Sequence, residues 1–163
     1  MGFSLGGFLA AEFACGYPEK IAGLILLGVR KQYEPQVLEN IKREIMTERK
    51  PWLYKFYLNC FSKADKDGLA LFRKKLLREY SDNLSLAELI RGLDYLAGHA
   101  LPVEALKRIE DISIIHGRND IIAPLKGVLE IKAELPQARL KLITDRGHLC
   151  FLNRDFRESF YHE

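Results

Sequence analysis

The sequence predicts an α/β protein whose mostly parallel sheet is interrupted by a block of helices. Three observations carry that expectation. Residues 2–29 read as a tight turn, a helix and an apolar run without alternation; residues 30–101 carry only helical periodicity and heavy charge; after Pro102 strand and helix patterns alternate again. The expected organisation is a body segment at 1–29, a helical segment at 30–101 and a second body segment at 102–163.

Each element has its own signal. Gly6-Gly7 opens the first helix, Phe8, Leu9, Ala11, Phe13 and Ala14 supply apolar faces, and Gly16-Tyr17-Pro18 stops it. Ile21 to Leu27 is apolar with almost no alternation, as in a strand covered on both faces. In the helical segment, Val37, Leu38, Ile41 and Ile45 share one face of a helix, and Trp52 to Phe61 form an aromatic second. Leu69, Phe72, Leu76, Leu77 and Tyr80 mark a third, and Ser85 with Glu88 forms a capping box that opens a fourth through Leu96. Beyond Pro102 we expect a strand at Ile112 to His116, a helix at Val128 to Glu134, a strand at Leu140 to Ile143 and a closing helix at Leu152 to Tyr161.

Composition narrows the function classes. At 163 residues, 48% hydrophobic and 29% charged, the chain has the balance of one folded domain. Its longest apolar run, Ile21 to Val29, falls far short of the roughly 20 residues that span a bilayer. Neither a membrane span nor a secretory signal is expected, and the chain reads as cytoplasmic. Cys15, Cys60 and Cys150 are far apart and lack metal-site or redox-pair spacing, so we expect reduced thiols, no metal and no cofactor. A net charge of +3 is too mild to indicate nucleic acid. The charge is concentrated, however: between Arg30 and Tyr80 there are 13 Lys or Arg against 7 Asp or Glu.

Gly2-Phe3-Ser4-Leu5-Gly6 has the form G-x-S-x-G at the point where a helix begins. A nucleophile at the tip of a sharp strand-to-helix turn sits in a strained backbone, and glycines at the flanking positions let neighbouring chain approach closely. The competing reading is that Ser4 only caps the helix. A serine hydroxyl needs a base, and the base an orienting carboxylate. Asp120, in His116-Gly117-Arg118-Asn119-Asp120, and His148, in Asp145-Arg146-Gly147-His148, each follow an expected strand, on the edge where open parallel sheets place their sites.

These three segments resemble the α/β-hydrolase fold family: G-F-S-L-G-G as nucleophile elbow, H-G-x-x-D-x-x-x-P around the acid, and G-H before the last helix as the base. The helices at 30–101 resemble that family's cap. The resemblance implies that Ser4 attacks an acyl carbon, His148 carries the proton, Asp120 fixes the imidazole and the Leu5 N–H is one oxyanion donor. It implies hydrolysis of a carboxylic ester through an acyl-enzyme. Relatives that act as haloalkane dehalogenases or epoxide hydrolases put Asp where Ser4 stands, whereas haloperoxidase-like relatives keep the serine. In the family several strands and helices precede the elbow. Here only Met1 does, so we expect a C-terminal portion lacking about four strands, with a non-catalytic, partner-binding remnant as the alternative.

The remaining candidates have milder readings. His116 is expected to be structural, His99 and His162 solvated, and Asp145 part of the turn before the base. Asp111 lies at the wrong end of its strand, while Arg118 and Asn119 shape the acid's loop. Trp52 and Phe56 either pack the helices together or line an acyl pocket over Ser4, which Phe3 and Leu5 would flank. The family includes a biotin-pathway esterase that removes the ester methyl group from a pimeloyl chain carried on acidic acyl-carrier protein and holds the carrier with basic cap residues. Arg73-Lys74-Lys75 with Arg78 is similar in character, so a small-molecule or carrier-bound acyl ester is the expected substrate.

Overall fold

The computed structural model describes residues 1–152 and 156. Four parallel strands lie side by side in chain order: β1 at Gly2–Phe3, β2 at Leu24–Leu27, β3 at Ile112–Gly117 and β4 at Arg139–Ile143. Parallel neighbours need crossover connections. Here they are α1 (Leu5–Gly16), then a long helical block, then α7 (Leu125–Glu134). Because every strand runs the same way, the segments that follow β1, β2, β3 and β4 all emerge on one edge of the sheet.

The strand before the serine turn is a finding the sequence reading lacks. Gly2 and Phe3 pair with Leu26 and Leu27, so the turn stands on a strand and not on a bare terminus. The expected strand at Ile21 to Leu27 shortens to Leu24–Leu27, behind a 3₁₀ turn at Pro18–Lys20. Its cover is also uneven. Leu24, Leu26, Ile112 and Ile114 pack with Phe8, Ala11 and Ala14 of α1 and with Val128 and Ile131 of α7 in the main core. On the opposite face Leu27 and Ile115 join Phe3, Cys150 and Phe151, while Ile25 and Ser113 line an open cavity of about 620 Å³.

The helical block consists of α2 (Pro35–Asn59), α3 (Lys66–Lys75), α4 (Leu77–Asn83), α5 (Leu86–Gly98) and the short α6 (Val103–Leu106). The two helices expected around Leu38 and Trp52 merge into one run with a kink at Glu48 (φ −142°, ψ 70°). The cause is Pro51, which has no N–H for the carbonyl of Thr47 and whose ring crowds it. Trp52 Nε1 donates to Glu44 Oε2 at 2.7 Å across the bend. The expected third helix breaks at Leu76 (φ −121°, ψ −31°) into α3 and α4. The capping box holds: Ser85 Oγ accepts from the Glu88 N–H at 3.2 Å, and the Glu88 carboxylate accepts from the Ser85 N–H at 2.8 Å. The expected closing helix, apart from Leu152 and Phe156, and His162 lie outside the described residues. No helix among the described residues is long and apolar enough to cross a membrane.

Candidate active site

Ser4 occupies the turn between β1 and α1 with φ 51° and ψ −122°, a region costly for a residue with a Cβ, by about 1–3 kcal/mol. The turn is pinned by the Ser4 N–H donating to the Leu27 carbonyl at 2.9 Å and the Gly7 N–H donating to the Ser4 carbonyl at 2.9 Å. A Cβ at Gly2 would overlap the Gly6 carbonyl and the Ala10 side chain, so the first glycine is needed for close approach. Gly6 is not: a Cβ there would meet nothing within 4 Å, and it is Gly7 that abuts Val29. Ser4 makes no side-chain cap to its helix. Its Oγ lies 3.0 Å from His148 Nε2 instead, which sets the capping reading aside.

Asp120 sits in the turn after β3, its N–H donating to the Gly117 carbonyl at 3.1 Å. One carboxylate oxygen, Oδ1, accepts from the N–H groups of Ile122 and Ala123, both at 2.8 Å. The other, Oδ2, accepts from His148 Nδ1 at 2.7 Å. Donation through Nδ1 leaves the Nε2 lone pair facing the Ser4 hydroxyl, the arrangement a general base requires. Asp120 and His148 are 4% and 2% exposed, so the pair works away from bulk water, where charge interactions are strongest. Phe3 tilts against the His148 ring at 4.8 Å between centroids.

His116 stands behind this line and not beside Ser4. It is fully buried, its Nε2 donates to the Ala123 carbonyl at 2.8 Å, and it lies 3.7 Å from Asp120 Oδ2. Burial holds its pKa below the ordinary imidazole value, against the pull of Asp120, so it is neutral at pH 7. Arg118 and Asn119 shape the Asp120 loop through backbone bonds to Ile143 and Arg146, and Asp145 has φ 58° in the turn before His148. Asp111 pairs with Arg139 at the opposite end of β3, and His99 is exposed. Burial pushes the thiols of Cys60 and Cys150 up to about 12, which leaves both protonated and unreactive at neutral pH. No group of three or more metal-ligating side chains occurs among the described residues.

The other sequence-derived candidates fall around this line. Leu5 begins α1, so its N–H lies in the first turn, where such groups lack a carbonyl partner one turn back. Trp52 and Phe56 stack at 5.2 Å in the aromatic cluster of the helical block, which Ile122 of the Asp120 loop and Leu149 of the His148 loop also join.

Three residues of the site escaped sequence reasoning. Gly28 follows β2 with φ 55°, and a Cβ there would lie 3.0 Å from His148 Cε1 and Nδ1 and 3.1 Å from the Phe3 ring. Tyr33 is half-buried with the Arg30 guanidinium 4.8 Å from its ring centroid; burial raises its phenol, and Arg30 opposes the rise. Asp65, at the start of α3, is 2% exposed and bonded to the base loop. The position of Gly28 and Tyr33 just past a strand was the available signal; for Asp65 there was none. Gly28→Ala is expected to lower kcat by about tenfold to 10²-fold, because the added carbon displaces the His148 ring. Thermal denaturation of that variant should report a loss of about 1–2 kcal/mol from the left-handed backbone.

Comparison with known proteins agrees with this fold. The family described as alpha/beta hydrolase fold matches residues 1–155. A pimeloyl-[acyl-carrier protein] methyl ester esterase from Nitrosomonas europaea is 32% identical over 98% of the chain, and the chain spans 66% of its length. A 2-hydroxy-6-oxononadienedioate/2-hydroxy-6-oxononatrienedioate hydrolase from Escherichia coli is 26% identical over 91% of the chain, which spans 54% of it. Among solved structures, an esterase from Exiguobacterium antarcticum superposes with a TM-score of 0.80 at 23% identity, over 98% of this chain and 62% of its own. A parallel sheet whose following turns bring Ser4, Asp120 and His148 together on one edge, and a family match across nearly the whole chain, place this protein in the α/β-hydrolase fold family.

Proposed function

We propose that the chain carries the catalytic serine, acid and base of a carboxylic ester hydrolase that works through an acyl-enzyme. The observation that supports this reading most is the unbroken line from Asp120 Oδ2 through His148 to Ser4 Oγ, at 2.7 and 3.0 Å. Ser4 Oγ attacks the acyl carbon as its proton passes to His148 Nε2, and the new oxyanion faces the Leu5 N–H at the positive end of α1. The imidazolium, held by Asp120, then gives that proton to the departing alkoxide. Water repeats the sequence on the acyl-enzyme, releasing the acid and restoring Ser4.

The substrate reading rests on the helical segment at 30–101, which we take as the cap of the hydrolase body. Phe3, Trp52 and Phe56 are assigned to the acyl pocket. Arg73, Lys74 and Lys75 on α3 and Arg78 on α4 are all exposed, the Arg78 side chain at 98%. Several relatives are named for a pimeloyl methyl ester on acyl-carrier protein. A methyl ester on an acidic carrier is therefore the proposed substrate, with the basic surface meeting the carrier.

The test compares a carrier-bound pimeloyl methyl ester with p-nitrophenyl acetate. Reversing the charge of Lys74, Lys75 and Arg78 is expected to raise KM for the carrier substrate about tenfold at low salt and leave kcat on the small ester unchanged. The difference should shrink with added salt, since rim charges act on encounter and the Debye length is about 8 Å at physiological ionic strength. Equal losses on both substrates at every salt concentration would remove the carrier reading. Failure to hydrolyse either ester would remove the enzymatic one and leave a partner-binding remnant.

A further inference from the structure

Between Asp145 and Leu149 the base loop is bonded to residues 60–65 of the helical block almost residue by residue. Ser62 Oγ donates to the Asp145 carbonyl at 2.6 Å, and the Leu149 N–H donates to the Cys60 carbonyl at 3.1 Å. Between these two bonds lies Asp65. Its Oδ2 accepts from the Gly147 N–H at 2.7 Å and the Ser62 N–H at 2.8 Å, and its Oδ1 accepts from Arg146 Nη1 at 2.9 Å. Asp65 stands at the N-terminus of α3, yet its side chain makes no cap to that helix. These three bonds go to its own turn and to the two residues before His148.

A carboxylate at 2% exposure is costly unless donors surround it, and an apolar side chain could join two loops without that cost. What a carboxylate adds is direction: bonds to a backbone N–H fix where that peptide stands. Gly147 is also closed in sterically, since a Cβ there would lie 2.6 Å from the Cys60 carbonyl oxygen and 2.8 Å from the Ser62 nitrogen. The peptide that leads into His148 is thus clamped from the helical block, while the ring reaches Asp120 on one side and Ser4 on the other.

We propose that Asp65 is a positioning residue for the reaction: by holding the Gly147 peptide against the helical block it keeps the His148 ring in line between Asp120 and Ser4. This rests on the serine-hydrolase reading above. It makes the helical block part of the proton-transfer apparatus. A displacement of about 1 Å in such a group can cost on the order of 10²-fold in rate.

Steady-state kinetics on p-nitrophenyl acetate, run well below the melting temperature of each variant, test the assignment. Asp65→Ala is expected to lower kcat about 10²-fold with KM within about threefold of the parent. Asp65→Asn keeps an oxygen for Gly147 and Ser62 and should recover kcat to within about fivefold. Asp65→Glu keeps the charge but sets the acceptor one methylene further out, so kcat should fall at least about tenfold; if Asp65→Ala does not fold, this variant decides. Parent kcat in Asp65→Ala or Asp65→Glu, or equal losses in Ala and Asn variants that track the folded fraction, would overturn the proposal. Ser4→Ala measured alongside separates the two claims. Turnover that survives it removes the serine reading, whereas its loss combined with undiminished kcat at Asp65→Ala removes only the positioning role.

Discussion

Ser4→Ala is expected to reduce ester turnover by roughly 10⁵- to 10⁶-fold while leaving the fold intact. The magnitude follows from where the hydroxyl sits. It lies in line with His148 Nε2 at 3.0 Å, and the thiols of Cys60 and Cys150 are held protonated by burial, so among the described residues neither cysteine can take its place. Alanine keeps the Cβ that the turn already tolerates and removes no cap, since Ser4 makes none. Thermal unfolding should therefore change by only a few degrees. Loss of activity in parallel with loss of folded protein would mean that the hydroxyl serves structure.

The second large effect is expected at Asp120→Asn, at about 10⁴-fold in kcat. Asn can still accept the Ile122 and Ala123 N–H groups through Oδ1, because that loop geometry demands an oxygen there. Its amide nitrogen must then face His148 Nδ1, where the carboxylate oxygen now accepts at 2.7 Å. Two donors cannot share that contact, so His148 shifts its proton to Nε2 and presents an N–H to Ser4 in place of a lone pair. The ring stays in position and ceases to be a base. Comparison of kcat with the melting temperature checks this; a variant within tenfold of the parent would show that Asp120 only shapes its loop.

The elements that were legible in the sequence are those whose signal is local. The Ser85 and Glu88 capping box, the apolar strands and the loops carrying Asp120 and His148 follow from spacing within ten residues, and the structure places them accordingly. What stayed hidden depends on contacts between distant segments. Gly2–Phe3 becomes a strand only because Leu26 and Leu27 lie beside it. Asp65 is a charged residue in a charged stretch until Gly147 and Arg146 arrive from 81 or more positions away. The kink at Glu48 was readable in principle from Pro51. Gly6 shows the reverse error, since its place in G-x-S-x-G suggested a close approach that Gly7 makes instead.

The most direct test of the serine account is to treat the protein with a fluorophosphonate, digest it and locate the adduct by mass spectrometry. A single phosphonyl group on Ser4, absent from Ser4→Ala and slowed by orders of magnitude in Asp120→Asn, is the predicted result. An adduct on any other residue, or labelling of Ser4→Ala at the parent rate, would contradict it.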